Sequence, residues 1–328
     1  MDYFLKKDMT FKEWLTYWFE TYSRRTVKRS MAISYNGYIN GHIIPEIGSY
    51  TLSELNTDIL QRFINVQSDN GSLKGGGLSP KTLQNMNRMI HKSLDKAIEL
   101  DIIPKNYASF VEIPSVEEVE MRVLTVNEQN LLEAELSRSS EKLAFGVYLS
   151  LTLGIRLGEV LGLRWSDIDT RKGIIHIRRT ANRLPRIDGK GTEIVVGTPK
   201  SQKSVRDIPI NEKYCEKLLE HWANTSVIMR KPPDKNDYLF RSSVGGPAEP
   251  KTMQETFKRI TREAGIDDAN FHSLRHTFAT RAIEKGADVK TLSVILGHSS
   301  VNITVNISYG HTCQSSYISI QKALPLYY

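Results

Sequence analysis

The chain has 328 residues, 40% of them hydrophobic, which is enough for two hydrophobic cores. Its net charge of +7 favours a polyanionic partner, although a merely basic globular protein fits the same composition. The two cysteines, Cys215 and Cys313, exclude a disulfide framework and a cysteine-pair metal site. No signal-peptide core and no run of about 18 uncharged apolar residues stands in the sequence. We therefore expect a cytoplasmic protein.

Residues 1–113 are predicted to form a small all-helical domain. Apolar residues recur at helical spacing over 10–22, 58–66 and 79–100. Ser79 followed by Pro80 is a favourable start for the third of these helices, and the glycine-rich stretch before it predicts a loop. Four cations within residues 23–29 predict a basic face, although acidic residues balance the charge of this domain overall.

Residues 114–122 combine proline, acidic residues and little periodicity, which predicts a linker. The domain that follows, 123–328, carries the positive excess, with 30 Lys and Arg against 22 Asp and Glu over 121–328. Its predicted helices are 125–137, 142–153, one carrying Glu159 and ending near Arg164, 211–229, 251–264, 272–285 and 289–296. Its predicted strands are 173–178, 193–196 and 205–210, with 238–240 as a possible further strand. The fold class is therefore mainly α, with a small antiparallel sheet in the second domain.

Arg156 lies in the otherwise apolar segment 149–165, where a buried cation needs a strong partner. An ordinary salt bridge to Glu159 is one explanation. Further along, the chain reads Phe271-His-Ser-Leu-Arg-His-Thr-Phe278, then Leu296-Gly-His298 and Tyr309. Two arginines suit a phosphodiester, because guanidinium groups bind its non-bridging oxygens bidentately. A tyrosine can attack such a phosphate and hold it covalently.

These residues, in this order, resemble the tyrosine recombinase (phage integrase) family over most of the chain. The resemblance implies an all-helical SAM-like domain that binds a DNA core site and a mixed α/β catalytic domain, together forming a clamp on the DNA. It implies Arg156 and Arg275 as the phosphate-binding arginines and Glu159 as the carboxylate that supports Arg156. The other implied catalytic residues are the general acid Lys200 on a hairpin, His272, His298 and the nucleophile Tyr309.

Several assignments have alternatives. Lys203 competes with Lys200 on the same hairpin, His276 is expected to be structural, and His298 could simply end a helix. Tyr309 follows His298 by eleven residues, whereas nine or ten is usual in the family. One inserted residue explains this spacing, and Tyr317 is a remote second nucleophile.

The tail 312–328 has one charged residue, Lys322, and is unlike the charged helix that usually closes the catalytic domain. A decayed C-terminus would leave a DNA-binding regulator that does not recombine DNA. A type IB topoisomerase-like enzyme is a more distant alternative.

The resemblance implies an integrase and excisionase of a prophage or conjugative transposon that cleaves and rejoins DNA through a 3′-phosphotyrosine, without metal or ATP. The expected partners are double-stranded DNA, three further copies of the chain in a homotetramer, and an accessory directionality factor. Many such integrases carry a further N-terminal arm-binding domain, which we do not expect in this chain. The predicted DNA contacts are Arg24, Arg25, Lys28, Arg29 and Lys81.

Overall fold

A computed structural model of the chain describes residues 9–72, 75–116, 121–186, 190–199, 204–298 and 300. The chain forms two compact units, Met1–Glu118 and Val119–Tyr328. The division falls within the stretch 114–122 that the sequence indicates as a linker. None of the helices in the described residues is both long and apolar enough to cross a membrane.

The first unit is helical. Its α-helices are α1 (Phe11–Trp18), α2 (Arg29–Tyr38), α3 (Ile44–Ile47), α4 (Thr57–Asn70) and α5 (Pro80–Glu99). Two π-helical turns, Phe19–Ser23 and Ile39–Ile43, follow α1 and α2, and a 3₁₀ turn covers Tyr107–Phe110. Thr10 caps α1 and Ser79 caps α5, since the hydroxyl of each accepts the N–H of the residue three positions later. The all-helical prediction is confirmed.

The core of the first unit is formed mainly by α1, α4 and α5. These helices bury an apolar face that includes Trp14, Trp18, Leu60, Ile64 and Ile90. The helix α2 is different, because none of its residues is buried. Its core-facing residues, Ala32, Tyr35 and Tyr38, are only partly buried. The apolar stripe is therefore weak, and the segment from α2 to α3 was not predicted as helical.

The second unit is mixed, as predicted. Its α-helices are α6 (Val126–Arg138), α7 (Ala144–Leu153), α8 (Leu157–Gly162), α9 (Glu212–Met229), α10 (Pro250–Glu263), α11 (Phe271–Glu284) and α12 (Val289–Leu296). Its strands are β1 (Ile168–Asp169), β2 (Ile174–Ile177), β3 (Thr180–Pro185), β4 (Thr192–Gly197) and β5 (Arg206–Pro209), with a 3₁₀ turn at Trp165–Asp167.

The strands form two small antiparallel sheets and not one. The first has the order β1-β2-β5, with Ile175 opposite Ile208, and the second pairs β3 with β4. The sequence missed β3, whose polar residues and final Pro185 are not typical of a strand. The possible strand at 238–240 is reduced to one bridge between Tyr238 and Arg164.

The core of the second unit surrounds α7. Seven of the ten residues of α7 are buried, and the helix packs against α8, α10 and α11. Gly154 ends α7 in the left-handed region at φ +65°, where a Cβ would collide with Phe278 and Leu296. This packing brings the α7–α8 junction, the start of α11 and the end of α12 together.

Candidate anion-binding site

Arg156 lies at the junction of α7 and α8, within the apolar segment 149–165 but outside both helices. It is the N-cap of α8, with extended backbone at φ −70° and ψ 151°. Its side chain is 34% exposed, so the guanidinium is half-buried and still reaches the surface of the second unit. This placement removes the problem of a fully buried cation and leaves Arg156 able to meet a ligand.

Glu159 in the first turn of α8 binds two arginines. Its Oε1 is 2.9 Å from Arg156 Nη1, and its Oε2 accepts the Arg156 backbone N–H at 3.1 Å. Arg206 at the start of β5 donates to the same two oxygens at 3.1 and 2.9 Å. Burial opposes ionisation of Glu159, but the hydrogen bonds and charge of Arg206, with the charge of Arg156, still lower its pKa. The expected pair with Arg156 forms, and Glu159 is shared with a second arginine.

Arg275 on α11 is almost fully buried, at 2% exposure. Its Nη1 donates to the carbonyl of Gly154 and its Nη2 to the carbonyl of Leu296, each at 2.7 Å. Burial, and then the nearby Arg156, lower the pKa of this guanidinium. An anion between Arg156 and Arg275 would relieve that repulsion.

The C-terminal end of α12 contacts all three arginines. Arg206 Nε donates to the carbonyl of Ile295, while Arg156 donates to the carbonyls of Leu296 and Gly297 at 3.3 Å each. These are carbonyls that a helix end leaves without helical partners. The contacts fix the end of α12, and His298 follows it directly.

Three histidines lie close to the arginines. His272 is exposed and its ring meets that of His276 edge-on, with 4.5 Å between centroids. Burial, followed by the charge of Arg275, lowers the pKa of His298 to about 3. Burial, followed by His272 and Arg275, lowers the pKa of His276 to about 4. Although His272 is exposed as a whole residue, desolvation of its ring by the surrounding side chains, and then the charge of Arg275, lower its pKa. Without a bound anion, His276 and His298 are neutral at physiological pH.

A pocket of about 180 Å³ opens between the α7–α8 junction and the start of α11. Arg156, His272 and Arg275 line it, together with Ile155, Leu157, Gln254, Asn270 and Phe271. Asn270 caps α11 through the N–H groups of His272 and Ser273, so the positive end of this helix lies at the pocket. Among the described residues here, three guanidinium groups face one carboxylate, which leaves an excess of two positive charges.

A larger pocket of about 960 Å³ lies at the start of α7 and along α9. None of the predicted catalytic residues within the described ranges lines it. The histidine in its wall, His221, is engaged, since its Nε2 lies 3.0 Å from the carbonyl oxygen of Leu239. The predicted arginines Arg156 and Arg275 line the smaller pocket instead, where bidentate arginine contacts suit a phosphate group.

The depressed histidine pKa values predict that acid destabilises the second unit. The pKa of such a histidine is near 6.5 in the unfolded chain and about 3 or 4 in the folded protein. As the pH falls, the unfolded chain therefore binds the proton at a higher pH than the folded protein does, and this favours unfolding. Stability is then complete above pH 6.5 and is lost as the pH falls below it. Lowering the pH from 7.5 to 5.5 should cost about 1 kcal/mol for each of His276 and His298. Thermal unfolding against pH measures this, and an unchanged pH dependence in His298→Gln would contradict it.

The structure brings together Arg156, Glu159, His272, Arg275 and His298 of the predicted catalytic set. Lys200, Lys203, Tyr309 and Tyr317 lie outside the described residues. Arg206 was missed, although its alternation with Ile208 and Ile210 in the predicted strand placed it on the buried face. The predicted DNA contacts lie in the first unit. Of these, Arg24 is exposed beside Glu20 at 2.7 Å, and Lys81 donates to Gln84 at 3.2 Å.

Comparison with known proteins identifies the family. A profile described as the phage integrase family matches residues 122–314, and one described as the phage integrase N-terminal SAM-like domain matches 10–66. A tyrosine recombinase XerC-like protein of Caldanaerobacter subterraneus subsp. tengcongensis is 27% identical, and the match covers 93% of this chain and 80% of the relative.

Solved structures share the fold. The Tn1549 transposon integrase in complex with transposon right end DNA has a TM-score of 0.72 and 24% identity, over 91% of this chain and 94% of that one. A lambda integrase tetramer bound to a Holliday junction has a TM-score of 0.66 and 18% identity, over 96% and 81%. Since the family profile covers more than half of the sequence, the chain belongs to the phage integrase family and is a tyrosine recombinase.

Proposed function

We propose that this protein is the site-specific recombinase of a mobile element and that the anion-binding pocket holds the scissile phosphate of DNA. The carrying observation is the pair of arginines, Arg156 and Arg275, that line one small pocket and are held by Glu159 and by backbone carbonyls. A mobile element is supported by the fold shared with an integrase from a transposon.

In the proposed reaction, the Tyr309 hydroxyl gives its proton to His272 and attacks the phosphorus, and the bond to the 5′-oxygen breaks. Lys200 gives a proton to the departing oxygen, which leaves as a 5′-hydroxyl. Negative charge grows on the non-bridging oxygens, where Arg156 and Arg275 stabilise it, with His272 and His298 as further hydrogen-bonding groups. A 5′-hydroxyl from another duplex then attacks the phosphotyrosine and restores a phosphodiester. One such bond is made for each one broken, so the exchange is close to neutral in energy.

The proposed partners follow from this reaction. Double-stranded DNA is the substrate, and the exposed cations Arg24, Arg25 and Lys28 of the first unit, with Arg29 and Lys81, are its proposed phosphate contacts. A homotetramer pairs two duplexes, which is supported by the shared fold of the lambda integrase tetramer on a Holliday junction. An accessory factor sets the direction, and the protein works in the cytoplasm, where its DNA lies.

Covalent trapping on a randomised pool of DNA tests the proposal whatever the target sequence is. The protein is mixed with nicked duplexes of randomised sequence, and adducts that survive denaturant are isolated. We expect the trapped duplexes to share one sequence and peptide mass spectrometry to place the DNA on Tyr309. Pairs of the trapped sites should then yield recombinant products. Retarded DNA without any adduct would indicate a regulator, while adducts without recombinants would indicate a topoisomerase-like enzyme, and either result overturns the proposal.

A further inference from the structure

Arg206 is almost fully buried and lines neither pocket. It nevertheless lies within the arginine cluster that it forms with Arg156 and Arg275. Its side chain is 3% exposed, and it is bound from within the fold. It donates twice to Glu159, once to the carbonyl of Ile295 and once to the carbonyl of Ser204 at 3.1 Å. A guanidinium so enclosed does not touch DNA. Its effect on the reaction must pass through the groups that it holds.

The main effect concerns charge. Glu159 is 3% exposed and lies 2.9 Å from Arg156, so its negative charge acts strongly on the arginine that lines the pocket. Arg206 binds both oxygens of the same carboxylate and compensates that charge. Without Arg206, the carboxylate would be balanced by Arg156 alone. The positive excess of the cluster would then fall from two charges to one, and Arg156 would be drawn toward Glu159.

A second effect concerns geometry. Gly297 ends α12 in the left-handed region at φ +64°, and a Cβ there would lie 3.1 Å from Arg206 Nη1 and 3.3 Å from the Cα of Ser204. The start of β5 and the end of α12 are therefore in close contact, and the Arg206 side chain lies against the backbone of Gly297. His298 follows Gly297, so the same contact fixes the chain from which the histidine projects.

We propose that Arg206 is a positioning residue for DNA cleavage: it neutralises Glu159, so that Arg156 keeps its positive charge for the scissile phosphate, and it ties β5 to the end of α12. This inference rests on the proposed function of the pocket. Neutralisation is the larger of the two contributions. Removing the carboxylate should therefore compensate for removing Arg206.

The test compares Arg206→Met with the double variant Arg206→Met/Glu159→Gln. The rate of covalent trapping at saturating DNA should fall about 10²-fold or more in Arg206→Met, which loses one positive charge of the cluster. The double variant restores the excess of two charges, and the glutamine oxygen and the carbonyls of Leu296 and Gly297 can still accept hydrogen bonds from Arg156. It should therefore cleave within about tenfold of the wild type. Non-covalent affinity should stay within about threefold in both, because many other phosphate contacts dominate it.

Arg179→Met is the matched control. Arg179 donates to the fully buried Asp167, which lies away from the pocket, so this variant loses stability without losing cleavage rate per folded molecule. Thermal unfolding establishes the folded fraction of each variant. If Arg206→Met does not fold, the double variant alone tests the proposal. The double variant is expected to fold, because it has no buried carboxylate without a partner. A double variant that is folded but about 10²-fold slow overturns the proposal, and so does an Arg206→Met that cleaves within about threefold of the wild type.

A second measurement separates this inference from the proposed function. Inorganic phosphate, compared with chloride at equal ionic strength, should raise the unfolding temperature of the wild type and the double variant more than that of Arg206→Met. A wild type that forms no adduct but shows this pattern refutes the proposed function and supports the role of Arg206. Equal stabilisation of all three proteins refutes the role of Arg206.

Discussion

Replacing Arg275 by lysine is expected to slow covalent DNA cleavage by about 10²- to 10³-fold at saturating DNA. The guanidinium holds the carbonyls of Gly154 and Leu296 at 2.7 Å each, which fixes its plane beside the pocket. A lysine has one nitrogen and loses its proton more readily when buried, so it cannot bond both carbonyls and the phosphate with the same geometry and charge. The measurement is the rate of adduct formation on the trapped site, with non-covalent affinity measured separately by gel retardation.

Arg281→Lys is the control for this substitution. Arg281 lies on the same helix and also holds a backbone carbonyl, that of Leu124 at 2.6 Å, but it does not line the pocket. Its replacement should lower stability and leave the cleavage rate of the folded protein unchanged. If Arg275→Lys cleaves within about tenfold of the wild type, or if both variants lose rate equally, Arg275 does not act on the phosphate.

The fold was predictable where helices have a buried stripe. The predicted segment 79–100 corresponds to α5. Its cap at Ser79 and the spacing of its buried residues, such as Met86 and Ile90, can both be recognised within the segment itself. The helix α2 has only partly buried apolar residues, and β3 is largely polar with one buried residue, so the apolar pattern of each is weak. The strand β3 is held by its hairpin partner β4, and α2 packs mainly against the π-helical turns that flank it. The propensity and periodicity of one segment do not register such contacts with neighbouring elements.

The one contact of the site that the sequence predicted joins two residues that are close together in the sequence. Arg156 and Glu159 are three residues apart, and their pair was expected. The contact between Arg206 and Glu159 spans 47 residues, and that between Arg275 and Gly154 spans 121, so local spacing carries no trace of either. The sequence consequently predicted Arg156 as a phosphate ligand, which stays a prediction, and did not indicate that Arg206 shares its carboxylate. The alternation of β5 was the one local signal that placed Arg206 on the buried side.

Tyr309→Phe is expected to abolish the covalent adduct. The substitution removes one oxygen, the proposed nucleophile, and keeps the ring, so binding and folding should be retained. Cleavage should fall by at least about 10³-fold, which places the adduct below detection on a denaturing gel. Gel retardation under native conditions should show DNA affinity within about threefold of the wild type, since the phosphate contacts are unchanged.

Tyr317→Phe is the matched control, because it makes the same change eight residues further along the chain. It should form adducts at the rate of the wild type. If Tyr309→Phe still forms an adduct and Tyr317→Phe does not, the nucleophile is Tyr317, and the eleven-residue spacing after His298 was no simple insertion. If both variants form adducts, the attacking group lies elsewhere in the chain. A wild type that carries the phosphate on Tyr309 establishes that the arginine cluster serves covalent chemistry and not DNA binding alone.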